Sequence, residues 1–342
     1  MSQGFWRKLK IPFFVLAPMH DITDIVFRQM FVKYGRPDVF YTEFVSVDGL
    51  CSQGKEKLLS YLKFKKNEKP IVAQVFGANP DNFFKAAKLI KSLGFDGIDI
   101  NMGCPDKQIE KQGAGAALMK NFKLAKEIIR ATKQGADKMP VSIKTRIGYE
   151  KNILTTWLRE LLTETPAAIA IHARTKKELF SSPAHWETIK QAVKIAQGSK
   201  TLIIGNGDIT NLEEAKLKIK QTGAHGIMIG RAAIGNPWIF DSKKDNKLIS
   251  PKEKLMALKK HIILFNKYFS KTKNFVVLKK YFKAYVNGFS DAKAIRAELM
   301  KTKSTDEAIK IIKKSKCKNL CLRHHAFGRQ GSAEGRKMEN DN

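Results

Sequence analysis

Short apolar, β-rich runs recur along the chain every few tens of residues. They are Phe13–Ala17, Val39–Tyr41, Ile71–Phe76, Gly97–Ile100, Val141–Ile143, Ala168–Ile171, Leu202–Ile204 and Gly226–Ile229. Unbroken apolar runs of this length, in place of apolar–polar alternation, suit strands buried on both faces. Between them lie stretches with apolar residues at helical spacing, as in Asn82–Leu93, Leu124–Lys133 and Leu212–Gln221. Asn79-Pro80-Asp81 and Asn211 have the chemistry of helix starts, and Gly94, Gly135 and Gly223 stand where helices would stop. Eight strands alternating with helices predict an α/β fold, a (β/α)8 TIM barrel. A doubly wound sheet would need a Gly-rich turn after the first strand, where this chain has Ala-Pro-Met-His-Asp.

The eight runs share a second property. Each leads into a polar or glycine-bearing cluster: Ala17-Pro18-Met19, Thr42-Glu43, Gln74 to Gly77, Asn101-Met102-Gly103-Cys104, Lys144-Thr145-Arg146, His172-Ala173-Arg174, Gly205-Asn206-Gly207-Asp208 and Gly230-Arg231. In a barrel these strand ends converge on one face, where the active sites of this fold are built. After Pro237-Trp238 the texture changes, and the rhythm is helical from Ser250 to Lys318. The expected organisation is a barrel over residues 1–243, a polar linker at Asp241–Lys247, a smaller all-α domain over 250–318, and a disordered tail over 319–342 rich in Gly, Arg, Ser and Glu.

Charge changes the picture most. The chain of 342 residues has 63 Lys plus Arg against 32 Asp plus Glu, a formal net charge of +31. Pro251 to Lys318 alone has 19 basic residues against 5 acidic ones. A polyanionic partner would explain the excess, as would a general lysine bias spread over solvated helix faces. No stretch of eighteen apolar residues appears, so no membrane span is expected. The N-terminal apolar run is short and already contains Ala17-Pro18-Met19, which argues against a secretory signal and for a cytoplasmic protein. Four cysteines (Cys51, Cys104, Cys317 and Cys321) do not form a disulfide framework in a chain this long. Cys317 and Cys321, followed by His324 and His325, depart from the usual zinc spacings, so no metal site is expected.

The strand-end clusters suggest specific chemistry. Gly205 to Asp208 and Gly230-Arg231 follow the seventh and eighth strands, the usual phosphate site of this barrel. Glycines let backbone N–H groups approach an anion, and a guanidinium can pair with it. Gln74, Lys144 and His172, read as ending strands three, five and six, could hydrogen-bond a polar heterocycle, with the ammonium stabilising an anionic reduced ring. With the phosphate loops they suggest flavin mononucleotide. Cys104 sits in a Gly/Pro-punctuated loop on the same face, where a thiol can serve as nucleophile or proton donor. Lys107, Lys111 and Gly113–Gly115 suit a mobile loop whose lysines meet RNA phosphates or simply solvent.

These residues together resemble the tRNA-dihydrouridine synthases over about residues 11–315. The matching stretches are APMHDITD at 17–24, TEF at 42–44, QVFG at 74–77, DINMGCP at 99–105, GAGAALM at 113–119, VSIKTRIG at 141–148, IHARTKKE at 171–178, GNGDI at 205–209 and IMIGRAAIGNPWIF at 227–240, with YFKAYVNGFSDAKAIRAELM at 281–300 similar to the family's helical RNA-binding domain. The resemblance implies an FMN-bound barrel re-reduced by NADPH, passing hydride to C6 of a tRNA uracil while Cys104 protonates C5. It implies flavin contacts at Gln74, Lys144 and His172, and a ribityl and phosphate end at Asn206, Gly207, Gly230 and Arg231. Ala17, Pro18, Met19 and Asp208 are expected at the same cofactor. Asn101, Lys107 and Arg174 are expected on the substrate side. Residues 319–342 and Leu179–His185 match nothing in the pattern.

Two other readings stay open at this point. One is an FMN barrel acting on a small molecule such as dihydroorotate or an enone, which the basic helical region argues against. The other is an RNA-binding barrel without catalysis, which the presence of Cys104 and Lys144 argues against. Nothing in the sequence demands a protein partner, and nothing in it selects the uridine position or NADPH over NADH.

Overall fold

A computed structural model describes residues 3–244 and 248–315; Cys317, Cys321 and the expected tail at 319–342 lie outside the described residues. Eight strands run in the order β1 (Phe13–Leu16), β2 (Phe40–Ser46), β3 (Ile71–Phe76), β4 (Gly97–Met102), β5 (Val141–Gly148), β6 (Ala168–Thr175), β7 (Leu202–Asn206) and β8 (Gly226–Ile229). All neighbours pair in parallel in the spatial order β1-β8-β7-β6-β5-β4-β3-β2. The cylinder closes where Leu16 N–H donates to Val39 O at 3.1 Å and Val15 bridges Val39. This is the TIM barrel expected from the apolar runs.

Helices connect the strands: α1 (Ile25–Tyr34), α2 (Val47–Leu50), α3 (Lys55–Leu59), α4 (Pro80–Ser92), α5 (Lys107–Lys111), α6 (Phe122–Ala136), α7 (Leu154–Thr163), α8 (Trp186–Ile195) and α9 (Leu212–Thr222). Asn79 and Asn211 cap α4 and α9 as expected, each side-chain oxygen accepting from backbone N–H groups of the first turn. Gly94 (φ +81°) and Gly223 (φ +75°) follow their helices in left-handed conformations. Gly135 departs from expectation. It lies inside α6 and is there for packing, because a Cβ would come within 2.2 Å of Phe84 O on α4. Asp137, at φ +53°, ends that helix instead.

The strands run longer than their apolar runs. Lys144 and His172 lie within β5 and β6, and Gln74 lies within β3, not beyond their ends. Strand alternation explains why. On β6, Ala168 and Ala170 belong to the core inside the barrel, and His172 and Arg174 continue the same inward row. Ser142, Lys144 and Arg146 do so on β5, and Ile204 and Asn206 on β7. The lower barrel is filled by Phe13, Val15, Tyr41, Val72, Ile204 and Met228, and closed by Trp6, whose ring lies 5.8 Å from that of Phe13. A second, larger core lies between the strands and the surrounding helices.

Four further helices, α10 (Pro251–Phe269), α11 (Lys279–Tyr285), α12 (Ala292–Lys301) and α13 (Thr305–Lys314), make up the described part of the basic helical region. Ser250 and Glu253 start α10 with a reciprocal capping box. The region docks on α1 and the loop before it. Phe27 stacks with Tyr281 at 6.0 Å, Tyr281 Oη donates to Ile22 O at 3.3 Å, and Lys273 pairs with Asp24 at 3.0 Å. Among the described residues no helix is long and apolar enough to cross a membrane.

Gly135→Ala should lower stability by about 2 kcal/mol despite the better helix propensity of alanine, because a backbone oxygen has to move. The urea midpoint would show it at unchanged slope; an unchanged or higher midpoint would mean that α4 and α6 yield freely.

Candidate active site

The mouth of the barrel holds a cavity of about 570 Å³. Ala17, Pro18, Met19, Lys144, His172, Asn206, Gly207, Asp208, Gly230 and Arg231 line it, so ten of the expected cofactor residues converge on one space. Arg146 and Phe180 line it too, and neither was singled out from the sequence. Arg146 was legible as the next inward position after Lys144. Phe180 belongs to the unmatched segment Leu179–His185, which folds over the cavity. Its ring lies 4.1 Å from the Arg231 guanidinium, Arg174 Nε donates to Ser182 O at 2.7 Å, and Ala184 N–H donates to Asp208 Oδ2 at 3.0 Å.

The two turns after β7 and β8 face the cavity together. Gly207 has φ +136°, and a Cβ there would meet Ala184 at 2.8 Å. The backbone N–H groups of Gly207, Asp208, Gly230 and Arg231 have no acceptor among the described residues. The Arg231 side chain pairs with Asp208 Oδ1 at 2.7 Å, and Arg174 pairs with the other carboxylate oxygen. Arg174 is 2% exposed, so it orders this turn from inside the protein.

Charge is concentrated on the facing wall. Burial, with Arg146 close by, lowers the Lys144 amine to about 8. Burial lowers Arg146 to about 10. Burial, with Lys144, Arg146, Arg174 and Arg231 around it, drives the His172 imidazole far below its ordinary range, so the ring is neutral. Arg174 Nη1 lies 3.3 Å from His172 Nε2. A guanidinium only donates, so Nε2 accepts and the ring proton sits on Nδ1.

Gln74 and Asn101 lie off the cavity lining, in a buried polar layer that the sequence did not reveal. Tyr41 Oη lies 3.3 Å from Ser142 Oγ, which donates to Asp99 Oδ1 at 2.6 Å. Gln74 Nε2 donates to Asp99 Oδ2 at 2.7 Å, and Asn101 Nδ2 donates to Gln74 Oε1 at 3.1 Å. Asn101 Oδ1 then accepts from Gly103 and Cys104 N–H at 3.1 and 2.9 Å. The layer thus runs from the barrel axis to the cysteine loop. Burial raises the Cys104 thiol above its ordinary value, while Lys144 and Arg146 act the other way. Lys107 is exposed at the start of α5.

Glu43 supports the wall formed by Ala17 to Thr23. It is fully buried, its Oε2 accepts Asp21 N–H at 2.9 Å, and its Oε1 has no partner. Burial, followed by the nearby Asp24 carboxylate, raises it from 4.5 to about 7.

The residues present fit a flavin mononucleotide. The cavity has the size of a cofactor pocket, its two glycine turns offer unengaged N–H donors for a phosphate, and its carboxylate is neutralised by two arginines.

A raised folded-state pKa means that ionising Glu43 costs stability as pH climbs from 4.5 to about 7. Glu43→Gln should therefore gain stability relative to the native chain at about pH 8 compared with about pH 5. Equal differences at the two pH values, measured by thermal unfolding, would place the native carboxyl in its ordinary range.

Comparison with known proteins gives a consistent family. The pattern described as "Dihydrouridine synthase (Dus)" matches residues 15–322. The chain is 41% identical over 312 residues to "Probable tRNA-dihydrouridine synthase 2" of Bacillus subtilis (strain 168), covering 90% of this chain and 95% of that one. It is 40% identical over 314 residues to "Probable tRNA-dihydrouridine synthase" of Staphylococcus aureus (strain COL), covering 90% and 94%. Among solved structures, histamine dehydrogenase from Rhizobium sp. 4-9 shares the fold with a TM-score of 0.51 at 12% identity, over 73% of this chain and 48% of that one. The chain belongs to the dihydrouridine synthase family.

Proposed function

We propose that this protein reduces particular uridines of tRNA to 5,6-dihydrouridine, using FMN held in the barrel mouth and NADPH as reductant. The observation that carries this reading is a cationic cavity with two unengaged glycine turns, whose lining residue Arg146 donates to Gly103 O next to Cys104, in a member of this family.

The N–H groups of Gly207, Asp208, Gly230 and Arg231 would hold the phosphate, with Asn206 at the sugar-like chain and Ala17, Pro18 and Met19 along the opposite wall. Lys144 would place its ammonium beside the electron-rich edge of the ring, and neutral His172 would lie alongside it. When bound, the flavin supplies the hydride that adds to C6 of the uracil and is renewed by NADPH.

Cys104 supplies the proton at C5. Its raised pKa keeps the thiol protonated at neutral pH, the form a general acid requires. Lys144 and Arg146 stabilise the thiolate left behind. Asn101 orders the backbone on which the thiol sits. The target base has to leave its stack to reach this depth. The exposed lysines of the helical region, Lys252, Lys267, Lys271, Lys280, Lys283 and Lys293, would grip the tRNA backbone. Lys107 would act on the substrate side from solvent, and Arg174 would order the turn at Asp208 that faces the phosphate.

The purified protein should show a flavin absorbance band that bleaches with NADPH under anaerobic conditions and returns with unmodified tRNA. Return with free uridine or orotate would point to a small-molecule reductase instead. A colourless protein that cannot be reconstituted with FMN would overturn the cofactor assignment. Cys104→Ala should keep flavin and tRNA binding while lowering turnover about 10²–10⁴-fold; near-normal turnover would remove the acid role. The logarithm of tRNA affinity should fall linearly with the logarithm of salt concentration, with a slope that shrinks by about one for each phosphate-contacting lysine replaced by glutamine. A slope unaffected by replacements in the helical region would place the RNA elsewhere.

A further inference from the structure

The segment bearing Cys104 is held to the barrel at two separated places. The inner one is close to the thiol. Arg146 Nε donates to Gly103 O at 2.7 Å and its Nη1 donates to Thr175 O at 3.0 Å, while Ala116 N–H donates to Cys104 O at 3.0 Å. Gly115, at φ +61°, passes so near that a Cβ would lie 2.9 Å from Cys104 O. The outer one is on α5, the short helix that begins two residues beyond Cys104 at its cap Asp106.

At the outer place Glu110 reaches the loops that follow β5 and β6. Lys176 Nζ lies 2.9 Å from Glu110 Oε2, Tyr149 Oη donates to the same oxygen at 3.2 Å, and Lys176 Nζ donates to Tyr149 Oη at 3.2 Å. The three groups form a closed triangle. Lys120, at the other end of the segment, places its ammonium 3.6 Å from the centre of the Tyr149 ring. The two receiving loops are joined to each other by Lys176 N–H to Gly148 O and Lys177 N–H to Tyr149 O, both 2.9 Å. They therefore act as one support.

The triangle is not fully satisfied. Glu110 Oε1 is buried and has no partner, although the side chain is only 11% exposed. A buried carboxylate oxygen without a donor costs free energy that is recovered when the segment lifts and water reaches it. The ion pair and hydrogen bonds hold the segment down, and the orphaned oxygen reduces the cost of releasing it. The glycines at Gly113 (φ +72°) and Gly115 lie between α5 and Lys120, where a rearrangement of α5 would be absorbed.

We propose that Glu110, Tyr149 and Lys176 form a releasable latch that docks α5 and so sets the position of Cys104 at the cavity. They are positioning residues, acting through the segment and not on the reacting atoms. Uracil enters and leaves with the latch open, and the thiol is presented with it closed. The inference rests on Cys104 as the proton donor, and its test separates the two ideas.

The experiment uses the flavin-loaded full chain with Cys51, Cys317 and Cys321 replaced by serine, so that alkylation by iodoacetamide reports Cys104 alone. Glu110→Gln, Tyr149→Phe and Lys176→Met should each speed alkylation, by about tenfold for the two that remove a charge, the scale of one charge-assisted hydrogen bond. Thermal unfolding checks that the fold is intact, and Lys176→Arg should restore slow alkylation. In the same variants kcat for tRNA should fall while KM stays close to that of the parent. Alkylation at the parent rate in all three variants would overturn the latch. Faster alkylation with unchanged kcat would uphold the latch and overturn Cys104 as the proton donor.

Discussion

Every second side chain of eight parallel strands has to be housed inside a closed cylinder, and this governs the rest of the molecule. The lower half meets the constraint with Phe13, Val15, Tyr41, Val72, Ala168, Ala170 and Ile204, sealed by Trp6. The same inward rows then become polar. Ser142, Asp99, Gln74 and Asn101 satisfy one another in a connected chain, as buried polar groups must. Above them Lys144, Arg146 and His172 meet the cavity, where solvent or a ligand can complete their hydrogen bonds, with Arg174 buried behind His172. The change from apolar to polar or charged residues along β3 to β7 is what makes one end of the barrel a core and the other a site.

Electrostatics follow from that geometry. Lys144, Arg146, Arg174 and Arg231 crowd a small volume, with Asp99, Asp208, Glu110 and Glu178 among the acids set against them. A neutral His172 and a Lys144 amine lowered to about 8 are the responses of weaker bases to burial beside guanidinium groups. Such a pocket favours an anionic guest. The same cations Lys144 and Arg146 favour the ionised form of Cys104, against the effect of its burial.

The helical region completes the arrangement from outside. It rests on α1 through Phe27 and Tyr281, and on the β1–α1 loop through Lys273 and Tyr281. That loop is held from below by the buried Glu43. Cavity wall, buried acid and basic helices are therefore mechanically continuous.

Much of this was legible in the sequence. Predominantly apolar runs announced eight doubly buried strands, because burial on both faces removes most of the polar alternation. Glycine turns at 205–207 and at 230, the cap residues Asn79 and Asn211, and the cysteine in a Gly/Pro loop declared themselves by residue type, since those roles depend on local backbone chemistry. Other features depended on which side chain meets which across the barrel. Arg146, Phe180 and Asp99 were not singled out, the hydrogen bonds that tie Gln74 and Asn101 into a buried layer were not visible, and Gly135 proved to be a packing contact between α4 and α6. The Glu110–Tyr149–Lys176 triangle joins a residue of α5 to residues of the loops after β5 and β6. The sequence by itself determined the strands, the turns and the family pattern, because these arise from interactions between near neighbours along the chain. Closure of the cylinder decided the partners of each inward side chain, because register and curvature bring together residues that no local rule connects.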